Sequence, residues 1–260
     1  MKAKRMTQIL NYVTQIGVCS YEELGEHFKV SVSTIRRDVE ELLRSNSLAK
    51  ARGGVIAIEP DGSPVPFAAK SMLSGSGLSI DDKKFAIARR ASELVEDNDI
   101  IFLGSGITVA CMVPFLKGKR GLYIITNNLH VLNEVKHYSL NAMVVGGNLN
   151  LNTFSIVGIQ SIRQLQSLNA NKAFLGCNGI TTSCSVTNVS EVEADIKREA
   201  MAISNECYLL TECQKFGKMS LYTFANLEDF STIITDSAPS KEFIDIFQRI
   251  DRKLIVADQA

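Results

Sequence analysis

Residues 31–55, SVSTIRRDVEELLRSNSLAKARGGV, decide how this chain reads. Ser31 is an oxygen-bearing residue suited to capping a helix N-terminus. Ile35, Val39 and Leu42 follow at helical spacing, so one face of the helix packs inward. Arg37 lies two residues beyond Ile35, roughly 200° around the axis from that stripe. Ser33, four residues before Arg37, shares its outward face. A helix with one dry side and one side of small polar groups and arginine suits a DNA major groove, where a guanidinium forks onto guanine or a phosphate.

The preceding residues complete a helix-turn-helix. Ile9, Leu10, Val13 and Ile16 give an apolar stripe on a first helix that ends near Gly17. Ser20 followed by Glu23 is a capping-box pattern for a second helix, Tyr21 to Phe28, with Leu24 and Phe28 inward. Lys29-Val30 is the turn into the third helix. Beyond it, Leu48, Lys50 and Arg52 alternate along a strand, Gly53-Gly54 signals a hairpin, and Val55, Ile56 and Ile58 return. The pattern predicts a winged helix with Lys50 and Arg52 on the wing, within reach of phosphate or minor groove. The plainer alternative is a helical pair that only packs, with Arg36 and Arg37 solvated. Cap, stripe, polar face and basic wing together favour DNA. Residues 1–58 carry nine Lys and Arg against six Asp and Glu, and the rest of the chain has the opposite surplus, because the total balances at 28 to 28. A basic head on a mildly acidic body fits a local, specific contact.

The 260 residues suffice for two domains. The expected division is a DNA-binding domain at 1–58, a Pro-, Gly- and Ser-rich linker at 59–80, and a second domain at 81–260. The N-terminus lacks a signal-peptide apolar core, and no apolar run approaches the roughly 18 residues of a membrane span. The six cysteines are scattered without a CxxC pair, and the three histidines show no ligand spacing. Reduced thiols, no metal, no cofactor and a cytoplasmic location are the expectation.

From residue 81 onward strands and helices alternate. Strands are expected at 99–104, 122–127, 141–147, 172–178, 207–212, 231–236 and 253–258. Helices are expected at 82–96, from about 108, through 131–135, at 154–168, 190–204 and 240–249. This is an α/β domain with a largely parallel sheet covered on both faces. Ligands of such sheets bind beyond the C-terminal strand ends. There the glycine turn LGSGIT (103–108) offers backbone N–H groups with the Ser105 and Thr108 hydroxyls beside Gly106. TNN (126–128), including Thr126 and Asn127, GGNLN (146–150), including Gly147, and GCNG (176–179), including Asn178 and Gly179, end further strands. TECQKFG (211–217) places Lys215 past another. One glycine turn means little, because tight strand-to-helix turns need glycine anyway. Several turns on one sheet edge, with a lysine, point to a polyol-phosphate pocket.

These motifs resemble those of the DeoR family of transcriptional regulators, over nearly the whole chain to about residue 258. The family pattern V-S-x-x-T-I-R-R-D-L, then G-x-L, then R-x-H-G-G reads here VSVSTIRRDV followed by SNSLAKARGG, with Asn46-Ser47 replacing the glycine and Arg52 the histidine. The resemblance implies an N-terminal winged helix-turn-helix, with Ser31, Ser33, Thr34, Arg36, Arg37, Lys50 and Arg52 toward DNA. It also implies a C-terminal domain resembling ribose-5-phosphate isomerase. The family's G-S-G-T-T appears as Gly104 to Thr108 with Ile107 in place of one threonine, its T-N-S as Thr126-Asn127-Asn128, and its N-G-I as Asn178-Gly179-Ile180. Its E-A-x-x-K-R begins at Glu193, which the resemblance implies as a further effector contact, and its D-S-S-K-F-G is altered to Glu212-Cys213-Gln214-Lys215-Phe216-Gly217. The implied function is a homo-oligomeric repressor of a carbohydrate-metabolism operon, acting on a double-stranded operator and modulated by a phosphorylated sugar. The altered motifs imply shifted ligand selectivity. A sugar-phosphate isomerase retaining a DNA-binding appendage is the alternative. The carboxylate-rich D-G-A-D-E of those enzymes is replaced here by Gly176 to Ile180, so no catalytic residue is expected.

Overall fold

A computed structural model describes residues 2–16, 18–45, 47–51, 54–57 and 82–257. The chain divides into two compact units, residues 1–80 and 81–260. Gly17, Arg52, Gly53, Ile58 and the expected linker at 59–80 lie outside the described residues.

The first unit holds α1 (Lys2–Ile16), β1 (Val18–Ser20), α2 (Tyr21–Phe28), α3 (Val32–Arg44), β2 (Leu48–Ala51) and β3 (Gly54–Ala57). Ser20 caps α2 with a full capping box: its Oγ accepts from the Glu23 N–H at 3.1 Å, and its own N–H donates to Glu23 Oε2 at 2.8 Å. Lys29 then turns left-handed, with φ of 52°, which ends α2 and lets α3 cross it. Ile9, Val13, Leu24, Ile35, Val39, Leu48 and Val55 form one closed core. The strands pair antiparallel in the order β1-β3-β2. The strand β1 is an addition to the two-stranded wing that alternation alone suggests.

The second unit is built on a parallel seven-stranded sheet in the order β15-β14-β12-β9-β4-β5-β6. Its strands are β4 (Ile100–Leu103), β5 (Tyr123–Thr126), β6 (Asn141–Val144), β9 (Ala170–Gly176), β12 (Ser204–Leu210), β14 (Thr232–Thr235) and β15 (Lys253–Val256). Successive residues Ile101, Phe102 and Leu103 are all buried, so both faces of β4 are covered, as its unbroken apolar run requires. On one face Phe102, Ala173, Leu175, Leu209 and Ile233 pack with residues of α7 (Ile159–Leu165), α8 (Glu191–Ala202) and α9 (Lys241–Ile250). The remaining helices are α4 (Asp82–Ser92), α5 (Ile107–Ala110) and α6 (Leu129–Val135).

Two expectations need correction. The helix anticipated over 154–168 is a hairpin strand followed by a shorter helix: β7 (Asn148–Asn150) pairs antiparallel with β8 (Ser155–Val157), and α7 begins only after Gly158. β-branched Ile156-Val157 favours the strand, and Gly158, at φ of 108°, breaks the chain direction. A small antiparallel sheet, β10 (Gly179–Ile180), β11 (Ser185–Asn188) and β13 (Tyr222–Asn226), escapes pattern reading because its strands are only two to five residues long. The helix expected over 82–96 also ends sooner, at Ser92.

Glu134 on α6 is fully buried, and neither carboxylate oxygen has a hydrogen-bond partner among the described residues. Burial pushes its carboxyl up to about 7, with Lys136 pulling weakly the other way. The unfolded carboxyl ionises near its ordinary 4.5 while the folded one keeps its proton, so this residue withdraws stability as pH rises from about 4.5 to about 7. Glu134→Gln, which keeps a buried polar group but removes the titration, is expected to unfold about 3 kcal/mol harder than the native chain at pH 8 and equally at pH 4. Thermal melts at the two pH values check this, and an equal difference at both contradicts it.

Candidate nucleic-acid interface and ligand pocket

The α3 helix is mounted as its sequence dictates. Ser31 at its N-cap accepts from the Thr34 N–H at 3.3 Å and lies 3.0 Å from Ser33 Oγ and 2.9 Å from Thr34 Oγ1. Three hydroxyls therefore cluster at the helix entrance. Ile35, Val39 and Leu42 are buried, while Ser33, Arg36 and Arg37 are exposed. Asp38 sits inside: its Oδ2 accepts from Arg5 Nε at 2.6 Å, so the acid of the TIRRD run ties α1 to α3. That pairing turns Asp38 away from the outward face, where the exposed Glu40 lies one turn beyond the two arginines. The Arg36 guanidinium lies 5.3 Å from the centre of the Tyr21 ring, a cation–π contact that holds it against α2. Arg37 has no such anchor and makes no ion pair among the described residues. Lys50 is exposed on β2, and Arg52 lies outside the described residues.

In the second unit β12, β9 and β4 are neighbours, so the turns following them share one stretch of sheet edge. Lys215 Nζ donates to the Cys177 carbonyl at 2.8 Å, linking the β12 turn to the β9 turn. A Cβ on Gly176 would approach the Ser105 carbonyl to 3.8 Å, so the β4 turn follows directly. Strands stand about 4.8 Å apart, and three turns therefore span about 10 Å, the length of a small sugar phosphate. Gly106 has φ of 108°, and a Cβ built there meets nothing within 4 Å, so the turn faces open space. The helix behind it, α5, has only four residues. So short a helix adds little dipole, and the Ser105 and Thr108 residues that flank the open turn are themselves buried.

Other residues of the candidate set serve as supports. Thr126 Oγ1 donates to the Leu103 carbonyl at 2.6 Å and accepts from the Asn128 N–H at 3.0 Å. Asn127 is buried, its Nδ2 on the Ile156 carbonyl at 3.0 Å and its Oδ1 unpartnered among the described residues. Gly147 is glycine because a Cβ would fall 2.3 Å from Ser161 Oγ, and Gly179 because one would fall 2.5 Å from the Lys218 carbonyl. Asn178 is exposed at the β9 end, its Oδ1 taking the Val189 N–H at 3.3 Å. Glu193 is buried, accepting from Ser155 Oγ at 2.9 Å and Asn188 Nδ2 at 3.3 Å. The structure thus brings Ser105, Gly106, Asn178 and Lys215 to one edge, and sets Thr126, Asn127, Gly147, Gly179 and Glu193 behind or beside it.

Three residues outside the candidate set matter. Asn128 Nδ2 donates to the carbonyls of both Gly104 and Gly106 at 2.9 Å, while its Oδ1 caps α6 through the His130 N–H. It clamps the glycine turn, and its place in the TNN run was the available signal. Lys84 Nζ lies 3.3 Å from Glu212 Oε1, which is also 3.9 Å from Lys215 Nζ, so two ammonium groups share one carboxylate. Lys197 is buried, donating to the Gly176 carbonyl at 2.8 Å beneath the β9 turn, and burial lowers its pKa. Lys84 carries no pattern that distinguishes it from other helix-surface lysines.

Among the described residues no His, Cys, Asp and Glu cluster has metal-holding geometry, and no helix is long and apolar enough to cross a membrane. Residues 5–61 match the family model of the DeoR-like helix-turn-helix domain, and residues 80–237 that of the DeoR C terminal sensor domain. The HTH-type transcriptional regulator IolR of Bacillus subtilis is 32% identical over 94% of both chains. The HTH-type transcriptional repressor GlcR of the same organism is 26% identical, covering 98% of this chain and 96% of that one. A lactose phosphotransferase system repressor of Staphylococcus epidermidis is 32% identical over 91% and 92%. Among solved structures, ribose 5-phosphate isomerase A of Methanocaldococcus jannaschii overlaps 51% of this chain and 53% of its own, at a TM-score of 0.37 and 16% identity, too remote to bear on site or function.

Proposed function

The chain belongs to the DeoR family of DNA-binding transcriptional regulators, and from that premise we propose that it represses a carbohydrate-metabolism operon and is modulated by a phosphorylated sugar bound at the β4–β9–β12 edge. It is a regulator and not an enzyme. Residues 1–58 serve as the DNA-binding domain and 81–260 as the sensor, in the cytoplasm where operator DNA is reached. The repressor sign follows the names of two relatives, both called repressors, one of them of a lactose phosphotransferase system. Because each chain supplies one recognition helix, a homo-oligomer presents two of them to a repeated operator.

One observation carries the ligand reading: Lys84 and Lys215 both lean on Glu212 at the edge where the open Gly106 turn ends its strand. An arriving phosphate dianion offers both ammonium groups a stronger partner than the shared carboxylate, and the sugar hydroxyls then meet Glu212 and Asn178. A thermal-shift screen tests it. At 100 times its dissociation constant a fitting sugar phosphate stabilises the sensor by about 2.7 kcal/mol and raises its melting temperature by about 5–11 °C. The unphosphorylated sugar is expected to give no shift. Equal shifts from both forms refute the phosphate assignment.

A further inference from the structure

The β7–β8 hairpin carries a concentration of exposed apolar side chains that neither DNA nor sugar-phosphate binding uses. Leu151 is 77% exposed at its tip, Leu149 49% on β7, Phe154 41% where the tip enters β8, and Ile159 53% just beyond it. Leu149 pairs with Ile156 across the hairpin, so both stand on the same face. The surrounding stretch, residues 138–162, contains no Asp, Glu, Lys, Arg or His, in a chain where 22% of residues are charged. Phe154 holds φ of 48°, a left-handed conformation that strains a bulky residue. That backbone keeps its ring half-exposed against His130, 5.0 Å between centroids. The adjoining strand β6 lies in the same uncharged stretch and is an edge of the main sheet, paired only with β5.

We propose that this hairpin face, centred on Leu149, Leu151 and Phe154, is the surface on which a second copy of the chain docks. The proposal rests on the homo-oligomer reading above and specifies its interface. A twofold contact sets a patch against itself, so every charge on it faces its own kind; a patch with no charges escapes that repulsion. Charge depletion with aromatic and aliphatic anchors is also the composition of an interface centre. A second exposed apolar pair, Met219 and Leu221, lacks this property, because Lys215 and Lys218 flank it and self-contact there juxtaposes like charges. A second copy is the occupant chosen, because one recognition helix per chain calls for a symmetric partner.

Sedimentation velocity of the full chain over a concentration series tests this. The native chain is expected to dimerise, Leu151→Glu to weaken dimerisation about 30-fold, and Met219→Glu to leave it unchanged. Leu151 is exposed, so its replacement does not disturb the core. A native chain that stays monomeric overturns the oligomer reading itself. A native dimer that Leu151→Glu leaves intact overturns the hairpin assignment alone. Hydrogen exchange of the native chain covers the case of a misfolded variant: protection of residues 148–157 that grows with protein concentration supports the interface, and protection independent of concentration overturns it.

Discussion

Arg37→Ala is expected to weaken binding to an operator duplex, enriched from random sequence on the native protein, by about 1,000-fold. A good bidentate contact between arginine and a guanine edge discriminates by about 1–3 kcal/mol, and a two-headed complex makes it twice, so losing about 4 kcal/mol is the central value. Arg37 is suited to that role because it is exposed, shares its face with Ser33 and is held by no ion pair among the described residues. Its neighbour differs. Arg36 rests on the Tyr21 ring, which positions it beside α2 rather than along the outward face. Arg36→Ala should therefore lower affinity for all sequences alike and flatten the salt dependence, while Arg37→Ala leaves non-specific binding in place. Fluorescence anisotropy with enriched and scrambled duplexes at several salt concentrations separates the two. Equal losses on both duplexes for Arg37→Ala would remove it from the reading surface. Ligand-induced thermal shifts should be unchanged, since the sensor is untouched.

Lys215→Ala is expected to cost about 100-fold in affinity for whichever sugar phosphate shifts the native protein most, and to spare DNA binding. Removing one side of a desolvated charge contact typically costs 2–5 kcal/mol, and the lower part of that range applies to a side chain that is only half-buried. The same truncation releases the Cys177 carbonyl, which Lys215 now holds at 2.8 Å. Lys215→Met retains the aliphatic stem without the charge and separates the two effects. If Met restores the ligand response, the lysine acts by packing and the anion contact is refuted. Calorimetric titration of both variants, with operator anisotropy alongside, gives the answer.

The recognition helix was legible from sequence because each of its determinants is local: a cap at Ser31, a stripe at Ile35, Val39 and Leu42, and an outward Arg37. The parallel sheet was legible because strands buried on both faces read as unbroken apolar runs. The candidate site at the sheet edge was only half-legible. Glycine turns at strand ends are visible in any α/β sequence, but a glycine demanded by ligand approach reads the same as one demanded by packing. Gly106 faces space, whereas Gly147 is filled by Ser161. Glu193 looked like a candidate ligand contact, and its carboxylate is instead consumed by Ser155 and Asn188, which come from other elements. Lys84 was invisible for the converse reason: its significance lies wholly in the distant Glu212. The acid of the TIRRD run shows the same limit, because helical spacing alone does not reveal that Arg5 pulls Asp38 inward.

The Asn127-Asn128 pair does two jobs with one piece of backbone. Asn128 clamps Gly104 and Gly106, while Asn127 exchanges hydrogen bonds with Ile156, its carbonyl accepting that residue's N–H at 2.7 Å and its Nδ2 meeting the Ile156 carbonyl. The glycine turn and the hairpin are therefore two ends of a single short brace. A brace cannot transmit in one direction only. If occupation of the turn alters self-association by some factor, self-association alters affinity at the turn by that same factor. The ligand's apparent dissociation constant then depends on how much regulator the cell contains. Abundance becomes a setting of the sensor's threshold.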